Sequence, residues 1–260
     1  MAILTLASTS GAPGVTTLAV GLALCWPRSV LLVDADPGAH QSVLAGYLTG
    51  ISPSGKGLLR VAEAHRDGRP LLDVVIDQTI PLSTGTADSR LFLPGFTRPG
   101  SASLFAGVWP DLVEALIRLD DTGVDVLVDA GRLASSGLPA PLVEHATLTC
   151  LVLRSNLRSV MSARVHAGSI GGSDRLDLGQ RSTGLVLVGE GEPYGRGEIT
   201  KALGMPVLAS IADDPSSAAH LSDGRPRPRK FESSALARSL QTTAASLSGH
   251  LQQTLDRVRG

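Results

Sequence analysis

Three stretches hold the side chains and backbone groups with which this sequence could do chemistry. The first is Ser8-Thr-Ser-Gly-Ala-Pro-Gly-Val-Thr-Thr17, a run of small residues between apolar residues 2–7 and a helix-compatible segment ending at Cys25. The second is the pair Asp34 and Asp36, which closes the apolar run 29–33 and precedes Pro37. The third is Asp129, at the end of the strand-like segment 124–128. A loop of Gly, Ser and Thr between a buried strand and a helix start presents free backbone N–H groups to an anion. Carboxylates at strand ends beside such a loop could hold a cation or orient a water. The loop departs from G-x-x-x-x-G-K-[ST], the usual pattern for cradling phosphates. Val15 stands where Lys would precede Thr16.

The elements that must position these residues follow from apolar runs and turn signals. Residues 2–7, 30–33, 124–128, 148–153, 184–188 and 207–211 read as buried strands. Residues 72–76 and 90–93 read as weaker strands. Helices are expected over 16–25, where Pro27 stops the helix, and over 58–65, 139–146, 159–168, 194–203 and 214–221. A short helix plus loop is expected within 38–50, and a helix interrupted near Pro110 within 102–119. Residues 171–180 read as polar loop, 225–230 as a basic, proline-stiffened connector, and 234–258 as a last helix. Continuous apolar strands alternating with helices imply an α/β fold, a mostly parallel sheet covered on both faces with right-handed crossovers. Ligands of such sheets sit at the carboxyl ends of the strands, where all three stretches fall. With no internal repeat and no composition break, the 260 residues read as one domain, 225–260 included.

Composition narrows the function classes. The chain is 43% hydrophobic but only 3% aromatic, so its core is built of Leu, Val and Ala. Its net charge of −1 gives no general pull toward nucleic acid or membrane. The only lysines are Lys56, Lys201 and Lys230. Cys25 and Cys150 lie in apolar runs and read as buried free thiols of a reducing cytosol. The amino-terminal apolar run has no basic segment before it, unlike a secretory signal. No apolar run reaches the length of a membrane span. The six histidines lack metal-ligand spacing.

Taken together, these segments resemble the ParA/MinD family of deviant P-loop ATPases. Ser10-Gly-Ala-Pro-Gly-Val-Thr-Thr17 sits where that family has K-G-G-x-G-K-T-T. Val30-Leu-Leu-Val-Asp-Ala-Asp-Pro37 is similar to its V-L-L-I-D-x-D strand, and Asp125-Val-Leu-Val-Asp-Ala-Gly131 to its Walker B strand. Residues 90–95 and 199–214 match later family segments. The departures are specific. The two family lysines are replaced by Ser10 and Val15, the second Gly by Ala12, and the adenine-reading Asn after the strand 184–188 by Gly189. Pro13 removes one backbone donor. A charge-assisted contact contributes roughly 1.5–3 kcal/mol, so its loss weakens nucleotide binding by about ten- to a hundred-fold. Phosphoryl transfer, which relies on positioned cations, suffers more.

The resemblance implies ATP and Mg²⁺ as cofactors. Ser10, Gly11, Ala12, Gly14, Val15, Thr16 and Thr17 would wrap the nucleotide. Thr16, Asp34 and Asp129 would hold the metal, and Asp36 would orient the attacking water. Each role has a plain alternative: a helix-capping Thr16, a carboxylate bonding its own turn at Asp36, a strand-end cap at Asp129. A phosphate site without lysine needs a cation from elsewhere, and Arg154 and Arg132, at the ends of their strands, are the candidates. Leucines 236, 240, 247, 251 and 255 form a stripe on the last helix, suited to packing on the sheet or in a dimer more than to a membrane.

The function implied is a cytoplasmic positioning or assembly factor with a degenerate ATP site and weak or absent hydrolysis. It would act in segregation, division-site placement or the placement of a pilus or secretion machine. Two alternatives stay open: an active Mg-ATPase using an arginine in place of lysine, and a nucleotide-free scaffold. The partners implied are a second copy or a paralogue in a dimer and a protein of a positioning system. DNA contact through 225–230 is weakly implied, and any membrane association is peripheral.

Overall fold

A computed structural model describes residues 3–10, 13–85, 87–98, 100–133, 137–166 and 182–259. Among them eight strands form a single sheet: β1 (Ile3–Ser8), β2 (Val30–Asp34), β3 (Ile80–Pro81), β4 (Arg90–Leu93), β5 (Asp125–Arg132), β6 (Leu148–Arg154), β7 (Ser182–Val188) and β8 (Val207–Ile211). Their order is β3-β4-β2-β5-β1-β6-β7-β8, parallel throughout except for the antiparallel edge pair β3–β4. The central strands β1 and β2 are buried along their whole length, as their unbroken apolar runs require.

The helices are α1 (Val15–Cys25), α2 (Ser42–Ala45), α3 (Leu58–Arg66), α4 (Leu71–Asp77), α5 (Ser101–Leu104), α6 (Trp109–Arg118), α7 (Ala140–His145), α8 (Leu157–His166), α9 (Arg196–Leu203), α10 (Pro215–Ser222) and α11 (Ala235–Arg259). Strand residues alternate between two layers. Leu4, Leu32, Leu127 and Val186 face α1 and α11. Ile3, Leu31, Val126 and Val128 face α3, α4 and α6 on the other side. Leu151, Leu153, Leu185 and Leu187 continue that second layer against α8 and α9.

The leucine stripe of α11 belongs to the core. Leu236, Leu240, Leu247 and Leu251 are buried in the cluster that holds α1. Leu240 lies so close to Gly21 that a Cβ there would meet Leu240 Cδ1 at 2.6 Å. The two thiols are free, and burial pushes Cys25 up to about 11 and Cys150 to about 12. No helix of the described residues is long and apolar enough to cross a membrane.

One expectation is corrected. Residues 72–76 form no strand; they lie in α4. Leu71, Val74 and Val75 are its buried residues, a spacing of three and four, with Asp73 and Ile76 exposed between and beyond them. A five-residue, mostly apolar run does not separate the two periods, and packing against α6 selects the helix. The edge strand β3 went unread because it is two residues long and contains Pro81, which an edge tolerates. The expected loop 171–180 and the end of the expected helix 159–168 lie outside the described residues.

Leu247 is fully buried, so Leu247→Ala should lower stability by about 2–5 kcal/mol in urea unfolding.

Candidate functional site

The loop after β1, the ends of β2 and β5 and the turns after β7 and β8 converge at the carboxyl edge of the sheet. Gly14 precedes α1 in the left-handed region, at φ 93°, and its carbonyl accepts the first helical bond from Leu18 N at 2.9 Å. A β-carbon at that φ is strained, so the turn into α1 selects glycine. The helix starts at Val15, one residue earlier than expected. Val15 is 5% exposed and packs in the α1 core cluster. Thr16 and Thr17 follow in the first turn, half-buried. Gly11 and Ala12 lie outside the described residues.

Asp34 and Asp129 are partners in the parallel register of β2 and β5. They are 6% and 1% exposed. Asp34 Oδ1 accepts Asp36 N at 3.2 Å, and Asp129 Oδ1 accepts Gly131 N at 2.9 Å. Asp129 Oδ2, Ser10 Oγ and Ser155 Oγ are buried without a hydrogen-bond partner among the described residues. Desolvation, and then the neighbouring Asp129, push Asp34 up to about 8. Desolvation also raises Asp129, against the neighbouring Thr16 side chain and the bond from Gly131 N–H, which favour its anion. Thr16 therefore meets the carboxylate with which a metal role would associate it.

Asp36 adopts the turn given as its alternative. Its Oδ1 accepts Gly38 N at 2.8 Å, and its Oδ2 lies 2.7 Å from His40 Nδ1. The close approach of Asp36 explains Gly131: a Cβ there would lie 2.4 Å from Asp36 Cγ, at a φ of 58°. His40 as the partner of Asp36 was not read from the sequence; the two meet across a turn, where no helical spacing announces the pair.

A cleft of about 260 Å³ runs from Gly14 and Thr17 to the ends of β7 and β8. Arg154 lines it, on the loop side as expected, but its guanidinium is paired with Asp213. Asp214 and Asp223 line the same cleft. Bonds from Ser217 and Ser216 hold Asp214 below the usual carboxylate range while it caps α10. Arg132 is not brought to this cleft. It is exposed and lines a separate cavity, on the sheet face away from α1. The role of Asp213 was also unread, although its acidic turn was visible in the sequence. No three His, Cys, Asp or Glu side chains gather as a metal cage among the described residues.

Solved structures with this arrangement of strands and helices cover nearly the whole chain. A chain of the MinC:MinD cell division protein complex of Aquifex aeolicus superimposes with a TM-score of 0.70 at 17% identity, over 96% of each chain. A ParA family ATPase from Chlorobium tepidum TLS gives 0.68 at 19%, over 95% of this chain and 98% of its own. A single-residue variant of Cyanothece McdA in complex with ATP gives 0.67 at 16%, over 95% and 96%. The chain has the MinD/ParA fold. No protein-family model and no curated protein matches its sequence. On this MinD/ParA frame, all the segments quoted for the resemblance reach the same sheet edge: the loop, the ends of β2, β4 and β5, and the turn after β8.

The acid pair sets a pH dependence. Between about pH 4 and pH 8 the folded chain keeps a proton on Asp34 that the unfolded chain has released, so stability falls as pH rises through that window. Asp34→Asn should raise the melting temperature at pH 8 in EDTA and flatten its pH dependence. An unchanged profile would show that Asp34 titrates normally.

Proposed function

We propose that this chain is a MinD/ParA-like positioning or assembly factor whose nucleotide site is degenerate, with weak or absent hydrolysis. The fold supports it, as does the survival of the acid-bearing strand ends. The observation that carries it is the lack, among the described residues, of a free cation at the loop, from the lysine position or from the arginine nearest to it. The side chain at the family lysine position, Val15, packs in the core, and Arg154 is neutralised by Asp213.

A cation suits the site better than a polyphosphate does. Asp129 presents a buried oxygen without a hydrogen-bond partner among the described residues, next to Thr16, and Asp34 lies beside it in register. Thr16, Asp34 and Asp129 are the residues that would hold Mg²⁺, which when bound would offset phosphate charge. The loop backbone at the start of α1 would orient a phosphate, and the cleft toward β8 would take the remainder of a nucleotide. That cleft carries three carboxylates and one paired guanidinium. A polyanion entering it meets net negative charge, and no residue described there supplies the cation that phosphoryl transfer uses. Turnover is therefore not the output. The reading is a scaffold or dimerising switch whose state is read by a partner protein, with a second copy or a paralogue as its dimer mate.

The acids of the cleft favour the nucleotide-free scaffold as the second reading. The arginine-for-lysine ATPase is disfavoured by the Arg154–Asp213 pair. Two assays set the ATPase apart from the other two readings, and detectable ATP binding sets the degenerate site apart from the nucleotide-free scaffold. With Mg²⁺ and millimolar ATP, phosphate release should stay at the no-enzyme background; steady multiple turnover would overturn the proposal. Any ATP affinity should change by less than about twofold in Arg154→Ala, since that side chain is already engaged. A tenfold loss would return Arg154 to the lysine's role.

A further inference from the structure

A second cavity lies on the sheet face away from the phosphate loop. Its volume is about 550 Å³, against 260 Å³ for the cleft beside α1. The ends of β2 and β5 floor it through Ala35 and Ala130, and α5, α6 and α7 wall it. Phe96, Trp109, Leu138 and Leu142 make the lining apolar. Its size and lining are those of a small-molecule pocket, which is mostly apolar with a few polar groups that orient the ligand.

The polar part of the lining is sparse. Among the described residues Arg132 is the one charged side chain in it, and it has no ion-pair partner among them. The Ser103 hydroxyl is spent on Gly100 O at 2.7 Å. The carboxylates of β2 and β5 do not compete for Arg132. Asp34 and Asp129 alternate with Ala35 and Ala130 and so point to the α1 face. An apolar hollow with one guanidinium at its edge complements a ligand with an apolar body and a single negative charge.

We infer that this cavity binds a small apolar carboxylate, the tail lying against Phe96, Trp109 and Leu142 and the carboxylate on Arg132. The site is separate from the loop cleft, so it stands or falls independently of the proposed function.

Trp109 is one of only two tryptophans, and the other, Trp26, is buried in the α1 core and gives a constant background, so ligand-dependent changes in emission report on the cavity. The full chain is titrated with decanoate below its micellar concentration, and with decanol as the uncharged counterpart. Tryptophan emission and equilibrium dialysis are followed together. Decanoate should bind saturably, and decanol at least about tenfold more weakly. Arg132→Ala should weaken decanoate by about tenfold, as loss of a charge-assisted contact implies, and leave decanol unchanged. Ala140→Phe, which adds bulk to the lining, should weaken both ligands. Equal binding of decanoate and decanol, or undiminished decanoate affinity in Arg132→Ala or in Ala140→Phe, would overturn the inference.

Discussion

Two carboxylates side by side in a dry place set the terms for the rest of this molecule. Asp34 and Asp129 face each other across adjacent parallel strands, both nearly sealed from water. Like charges in such a place raise each other's proton affinity or call for a cation. The chain around them meets only part of that demand. Backbone N–H groups of Asp36 and Gly131 bond one oxygen of each, and Thr16 supports Asp129. Gly95 and Gly131 leave room where a β-carbon would strike Asp34 or Asp36. The second oxygen of Asp129 stays without a hydrogen bond among the described residues.

On the proposed function, the other half of a phosphate site is rebuilt. The turn into α1 keeps its left-handed glycine, so the helix still points its free N–H groups at the sheet's carboxyl edge. The next side chain, however, goes into the hydrophobic layer shared by α1 and α11. That layer is what α11 needs. Leu240 packs against Gly21 on the helix that Val15 begins, and Leu247 and Leu251 extend the same cluster. The arginine best placed to restore positive charge is held by Asp213 across the ends of β6 and β8. Acids for a metal without cations for a phosphate favour a structural or switching role over turnover.

Much of this was legible in the residues. Each long strand appeared as an apolar run, because a strand buried on both faces has no polar side to interrupt it. The loop and the two acid-bearing strand ends could be placed at one edge from alternation alone. Residues 71–77 could not be assigned, since so short a stretch fits either period until a neighbour selects one. Side-chain pairing between distant segments was equally hidden. Arg154 and Asp213 are 59 residues apart, and only the β6-β7-β8 order brings them together. Arg132 looked equivalent to Arg154 in sequence, yet β5 presents it on the opposite face, beside an apolar cavity. Which face a strand-end residue serves depends on where the strand stops, and boundaries are the least readable feature of a sequence.

The proposed function requires that the loop edge has lost its grip on polyphosphate. Its most direct measurement is the melting temperature of the full chain in Mg²⁺ with and without ATP at about 1 mM. A ligand at about 1,000 times its Kd stabilises by about 4 kcal/mol, which for a chain of this size is a shift on the order of 10 °C. On the present account ATP should add no more than about 2 °C. A shift near 10 °C would mean that micromolar nucleotide affinity survives without the lysines, and would contradict it.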